Sequence, residues 1–140
     1  MARTEIDDKL QSIPMFSGLS KRELRSVSRL MTQIEVAEGR ELMTEGEPGR
    51  EFMIIVEGEA TVRKKGRKVA TLGAGDFVGE LSVLSGQPRN ATVEAASPMT
   101  VEALNRREFM SLLDESPKLA KKILLGAIVR LQSVGTGPTD

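Results

Sequence analysis

The residues best suited to chemistry lie within 77–93, in the run F-V-G-E-L-S-V-L-S-G-Q-P-R-N-A-T-V. After Phe77 the apolar residues Leu81, Val83 and Leu84 stop alternating, which predicts a short helix beginning near Gly79 and ending at Gly86. A helix that starts at a glycine presents backbone N–H groups without intrahelical partners, and these favour an anion. Arg89 follows three residues after Gly86, so a phosphate-sized anion fits between those amides and a guanidinium making paired, charge-assisted hydrogen bonds. Glu80 sits beside the same place, where a second negative charge is costly unless it accepts from a neutral hydroxyl. A ribose hydroxyl next to a phosphate meets that need.

What the chain lacks narrows the chemistry further. It has no cysteine, hence no disulfide, thiolate nucleophile or zinc-thiolate site, and no histidine, hence no serine-histidine triad or imidazole metal site. Carboxylate catalysis survives this cut, but no spacing singles out a converging pair from Glu57, Asp76 and Glu80. The aromatics are four phenylalanines, Phe16, Phe52, Phe77 and Phe109, which make a poor base-stacking platform. Lysine plus arginine total 20 and aspartate plus glutamate total 20, so any charge-based function is local. The expected partners therefore include neither nucleic acid nor membrane. The longest apolar run, 123–129, is far shorter than the roughly 20 residues that span a bilayer, and the N-terminus does not read as a signal peptide. The expected location is cytoplasmic.

The 140 residues suit one domain, with apolar periodicity that changes twice. Before residue 33, Ser20 and Glu23 fit a capping box ahead of an apolar stripe at Leu24, Val27, Leu30 and Met31. A shorter helix is expected at 6–12, ending before Pro14. From about 33 to 104 the period is two: Ile34 and Val36, Leu42, Phe52, Ile54 and Val56, Ala60 and Val62, then Val69 and Leu72, with glycines between. A second strand pair is expected at 91–96 and 99–104, turning at Ser97-Pro98. So many short strands indicate a sandwich or barrel. After 105 the helical period returns, with Asn105 as one cap and Ser116-Pro117 opening a last helix.

Gly79-Glu80-Leu81 and Pro88-Arg89-Asn90-Ala91-Thr92-Val93 come after Gly39, Glu45-Gly46, Val56-Glu57-Gly58 and Gly75-Asp76-Phe77. This ordered set resembles the cyclic nucleotide-binding domain family over roughly residues 14–133, with 77–93 as its phosphate-binding cassette. The resemblance implies a mainly β fold with flanking helices: an eight-stranded double-stranded β-helix, or jelly-roll-like β-roll, with N-terminal helices and a C-terminal lid helix. It implies that Glu80 accepts the ribose 2′-hydroxyl and Arg89 pairs with the cyclic phosphate. The backbone N–H groups of Gly79, Leu81, Ser82 and Asn90 or Ala91 would complete the cradle, and Val62, Leu72 and Leu81 would line the roll around base and sugar. Ser82 departs from the alanine or glycine frequent in the family, and Asn90 from a small residue; neither chooses adenine over guanine. The implied ligand is thus cAMP or cGMP, with no metal and no other cofactor.

Three features read separately. The basic stretch 63–68, R-K-K-G-R-K, is expected to be a solvated hairpin tip that blunts edge pairing. The spacing Gly73-x-Gly75-x-x-x-Gly79 misses the dinucleotide fingerprint. In the last helix Leu119, Ile123, Leu124, Ala127, Ile128 and Leu131 are too many for one narrow stripe. By resemblance this helix covers the ligand, and without an aromatic the cap falls to Ile128 or Leu131. The same helix either packs only on its own domain or makes a homodimer.

The expected organisation is a single domain at 1–134, helical over 1–32, a β-roll over 33–104 and C-terminal helices over 105–134, followed by a flexible tail at 135–140. The expected function is a non-enzymatic cyclic nucleotide receptor that moves its C-terminal helix; since no output segment is legible in the chain, it signals to a separate protein effector or is a piece of a larger protein. The competing expectation is a β-roll interaction module that has lost nucleotide binding.

Overall fold

In a computed structural model, residues 3–135 are described, with side chains over 5–130. Leu131 as a cap, and the tail beyond Gly135, lie outside these described residues. The chain opens with α1 (Arg3–Ser12), a 3-10 turn at Pro14–Phe16 and α2 (Lys21–Ser28). Both halves of the capping box form: Glu23 N–H donates to Ser20 Oγ at 3.1 Å, and Ser20 N–H to the Glu23 carboxylate at 3.0 Å. Leu24, Val27 and Met31 are buried as their spacing predicts, although the helix ends at Ser28.

Eight strands follow: β1 (Thr32–Val36), β2 (Glu41–Met43), β3 (Glu51–Glu57), β4 (Ala60–Lys64), β5 (Arg67–Leu72), β6 (Phe77–Val78), β7 (Thr92–Ala95) and β8 (Met99–Asn105). They form two four-stranded antiparallel sheets, in the orders β1-β8-β3-β6 and β2-β7-β4-β5. The fold is the expected β-roll. The strands at 91–96 and 99–104 are present, but they do not pair with each other. The turn at Ser97-Pro98 carries the chain between sheets, so β7 pairs with β2 and β4, and β8 with β1 and β3.

β3 is buried on both faces because the sheet is covered on both sides. Phe52, Ile54 and Val56 join the helices in one apolar cluster, whereas Met53 and Ile55 face into the roll with Val78, Val93 and Val101. β5 departs from strict alternation. The register runs Val62 to Ala70 and then Arg63 to Lys68, which leaves Val69 as the extra residue of a bulge. That bulge lets Val69 and Leu72, three residues apart, lie on one face.

Two helices close the fold. α4 (Arg106–Glu115) starts at a second capping box, Asn105 with Glu108, both contacts 2.8 Å. In α5 (Pro117–Gly135), Ser116 Oγ accepts the Leu119 N–H at 3.3 Å and Pro117 occupies the first turn. Leu119, Ile123 and Ala127 are buried, and Lys122 Nζ donates to the carbonyls of Pro14, Met15 and Ser17. α5 is thereby fastened to the N-terminal turn. Its opposite face leaves Leu124, Leu125, Ile128 and Val129 exposed.

Candidate functional site

The interruption after β6 is the expected helix, α3 (Glu80–Ser85), with Gly79 and Gly86 at its two ends in the left-handed region at φ 94° and 75°. Gly79 has a further reason to be glycine. A Cβ there would lie 2.5 Å from the Glu51 carbonyl oxygen and 2.8 Å from an Arg89 guanidinium nitrogen. The helix can therefore begin only where the backbone comes right up to Arg89.

Arg89 is held from both its backbone and its side chain. Its N–H donates to the Glu47 carbonyl at 2.8 Å, and its own carbonyl accepts the Gly46 N–H at 2.9 Å. Its guanidinium donates to the Glu51 carbonyl at 2.6 Å and to that of Gly79 at 3.4 Å. Only 8% of the residue is exposed. Burial pulls the guanidinium's pKa below its ordinary value, opposed by the Glu51 and Glu80 carboxylates. A buried guanidinium facing carbonyls alone retains positive charge with nothing ionic in direct contact, which is the electrostatic condition for taking an anion.

Glu80 is 1% exposed, and its partner comes from the far end of the chain. Arg130 Nη1, on α5, donates to both carboxylate oxygens at 2.7 and 2.8 Å. The same guanidinium donates to the Phe77 carbonyl and lies 4.8 Å over the Phe77 ring. Phe77 packs on Phe52 and Phe52 on Phe109, with centroids 5.6 and 4.5 Å apart. Ser82 is buried and its hydroxyl donates to the Pro88 carbonyl at 3.4 Å, tying α3 to the segment that carries Arg89.

A cavity of about 780 Å³ opens between α3, the β4–β5 hairpin and α5. Gly79, Glu80, Leu81 and Ser82 border it on one side, Arg89, Asn90 and Ala91 on another, and Val62 and Leu72 supply apolar wall. All nine residues singled out in the sequence thus meet in one place. Its volume suits a small organic ligand, and its lining combines apolar wall with a few convergent polar groups. First-turn amides and Arg89 suit a phosphate, Glu80 suits a hydroxyl donor, and the valine and leucine walls suit a flat apolar ring. Among the described residues no three acidic side chains cluster as a metal site would require.

Three cavity residues and one clasp were not legible beforehand. Lys64, Lys65 and Arg67 border the cavity instead of belonging only to a solvated hairpin tip. Arg130 borders it too, whereas Ile128, one of the two expected caps, is 41% exposed and absent from the lining. The available signal for Arg130 was Glu80 itself: a carboxylate buried in the roll requires a cation, and Arg130 is the arginine of the last helix.

The sequence profile of the cyclic nucleotide-binding domain matches residues 33–116, from the second residue of β1 through α4. The chain belongs to the cyclic nucleotide-binding domain family. It is 38% identical over 113 residues to a cAMP-dependent protein kinase regulatory subunit of Yarrowia lipolytica, covering 79% of this chain and 30% of that protein. It is 35% identical over 119 residues to a cyclic nucleotide-gated potassium channel of Rhizobium etli, covering 85% of this chain and 33% of the channel. The chain therefore spans about a third of the length of these curated relatives. Among solved structures it is similar to a protein kinase A regulatory-subunit domain bound to Sp-2Cl-cAMPS, with a TM-score of 0.80, 26% identity, and coverage of 98% of this chain and 94% of the other. As a cyclic nucleotide-binding domain it carries the family's regulatory β-roll. No helix among its described residues is long and apolar enough to cross a membrane.

Proposed function

We propose that this cyclic nucleotide-binding domain is a receptor for cAMP or cGMP and not an enzyme. The observation that carries the reading is the placement of Arg89 and Glu80 on the border of one cavity, with the first turn of α3 between them. The cyclic phosphate takes charge-assisted hydrogen bonds from Arg89 and from the amides at Gly79, Leu81 and Ser82. Asn90 and Ala91 close the cradle. Glu80 accepts the ribose 2′-hydroxyl, and Val62, Leu72 and Leu81 bury the sugar and base.

The same geometry supports signalling through α5. Each Glu80 oxygen has two lone-pair sites, so the carboxylate can hold Arg130 and a hydroxyl together. A ligand on Glu80 then acts on the residue that clasps α5, and differential contact of this kind is what coupling requires. The outward row Leu124, Leu125, Ile128 and Val129 offers a protein effector, or a second copy of the chain, an apolar surface on the moving element.

Calorimetric titration with cAMP and cGMP, with Arg89→Ala in parallel, tests the reading. Saturable binding by the parent protein and its loss by at least about 100-fold in the variant are expected, from two charged hydrogen bonds removed. Absence of heat with both nucleotides, after any co-purified ligand is stripped, would leave an interaction module as the function.

A further inference from the structure

Two cations face each other on the cavity side of the β4–β5 hairpin. Lys64 and Arg67 are direct register partners, and both border the cavity. Like charges directly opposite in a ladder are destabilising. Neither side chain has a hydrogen-bond or ion-pair partner among the described residues.

Alternation explains Lys64, two residues beyond Val62 on the same strand face, but not Arg67. Counting back by twos from Leu72 and Ala70 reaches Lys68, so a regular β5 would turn Arg67 away. The bulge at Val69 shifts the count by one and returns Val69 and Arg67 to the cavity face. The hairpin tip is also pinned: Lys65 adopts φ 53°, and its N–H donates to the Glu45 carboxylate at 2.9 Å. Because Arg63 pairs with Thr92, Lys64 comes level with Ala91, two residues from Arg89.

The cavity border is thus strongly cationic in a chain with 20 basic and 20 acidic residues. Lys64, Lys65, Arg67, Arg89 and Arg130 stand against Glu80, which Arg130 already neutralises. Protecting the edge of β5 does not require this arrangement, since Arg63 and Lys68 already charge the other face.

We propose that Lys64 and Arg67 steer an incoming phosphate-bearing anion to Arg89 and set its association rate without holding it once bound. The inference rests on the cyclic nucleotide reading. Arg67 is exposed and Lys64 half-buried, so water screens their short-range attraction to a bound ligand. A cleft lined by one sign of charge acts farther out, by focusing field on the approaching ion.

The test is stopped-flow association of fluorescent cAMP and cGMP analogues with the whole chain. Lys64→Gln with Arg67→Gln should lower the association rate about five- to tenfold at about 20 mM salt and leave dissociation within about twofold. The loss should vanish at about 1 M salt, where the screening length is about 3 Å. Arg63→Gln with Lys68→Gln removes the same net charge from the other face and should leave association within about twofold. Each single change, Lys64→Gln or Arg67→Gln, should give part of the loss, which covers a misfolded double variant. Faster dissociation at an unchanged association rate would overturn steering in favour of direct contact. An equal loss from the outward pair would overturn it in favour of net charge, and unchanged kinetics with self-association would make the pair edge protection. No binding by the parent protein would remove the receptor reading and this inference with it.

Discussion

Arg130 on α5 reaches both carboxylate oxygens of Glu80 on α3 through one guanidinium nitrogen, at 2.7 and 2.8 Å, across 50 residues of sequence. Glu80 is essentially inaccessible, while the Arg130 side chain remains 34% exposed. The pair clasps the final helix to the cassette. Phe77 strengthens the clasp, since it offers both its carbonyl and its ring to the same guanidinium and passes the contact to Phe52 and Phe109.

Removing one partner leaves a buried charge uncompensated. Arg130→Ala should lower stability by about 2–3 kcal/mol, less than the ~3–5 of a fully buried pair because water reaches Arg130. Urea unfolding measures it. Arg130→Lys should restore less than half, because an ammonium lacks the planar fork that serves Glu80 and Phe77 together. A cycle with Glu80→Gln should show coupling; strict additivity would mean that the two residues act independently.

Gly79→Ala should cost about 3 kcal/mol, combining about 1–2 kcal/mol for a left-handed alanine with the collision against the Glu51 carbonyl at 2.5 Å. Gly18 provides the comparison. It has φ 86° but open space around its Cβ direction, so Gly18→Ala should show only the conformational part, about 1 kcal/mol. Equal melting shifts for the two variants would mean that the backbone at Gly79 gives way.

Gly126→Ala sets two effects against each other. Alanine favours a helix interior by about 1 kcal/mol, but its Cβ would stand 2.6 Å from Phe77 Cζ, on a ring already packed against Phe52. The collision should win, lifting α5 and loosening Arg130 from Glu80. Faster amide exchange along 121–130, with lower stability, is the expected signature; a more stable variant would show that Phe77 swings aside.

Acid should weaken the α2 capping box. The Ser20 backbone N–H, then the Ser20 side chain, hold the Glu23 carboxyl below its ordinary value of 4.5. A depressed acid contributes stability that is complete above 4.5 and lost as pH falls through the lowered value. Melting temperatures followed from about pH 6 to pH 3 should therefore fall less steeply in Glu23→Gln than in the parent. Parallel curves would mean that the contact is not kept in solution.

What was legible in the sequence was local. Ser20 with Glu23, Asn105 with its helix, Ser116-Pro117, and Gly79 and Gly86 around α3 each act within about four residues, so residue type and spacing determine them. The cassette was legible for the same reason: α3 and the Arg89 segment are adjacent in sequence, and the glycines dictate how the chain turns between them. The separation of β7 from β8 was not, because a turn at Ser97-Pro98 is compatible with either a hairpin or a crossing between sheets.

Tertiary structure decided the rest. Whether Arg67 faces solvent or cavity depends on a single unpaired residue, Val69, and period-two counting cannot foresee where a ladder slips. Whether Ile128 or Arg130 meets the cassette depends on how α5 rotates on Phe77, Pro14 and Ser17, contacts made from 49 to 108 residues away. The sequence by itself determined the caps, the turns and the closeness of α3 to the segment carrying Arg89, because short-range hydrogen bonding specifies them. The partner of Glu80 and the charge at the cavity mouth were decided only when distant elements packed, because burial, not spacing, determines which cation a buried carboxylate must find.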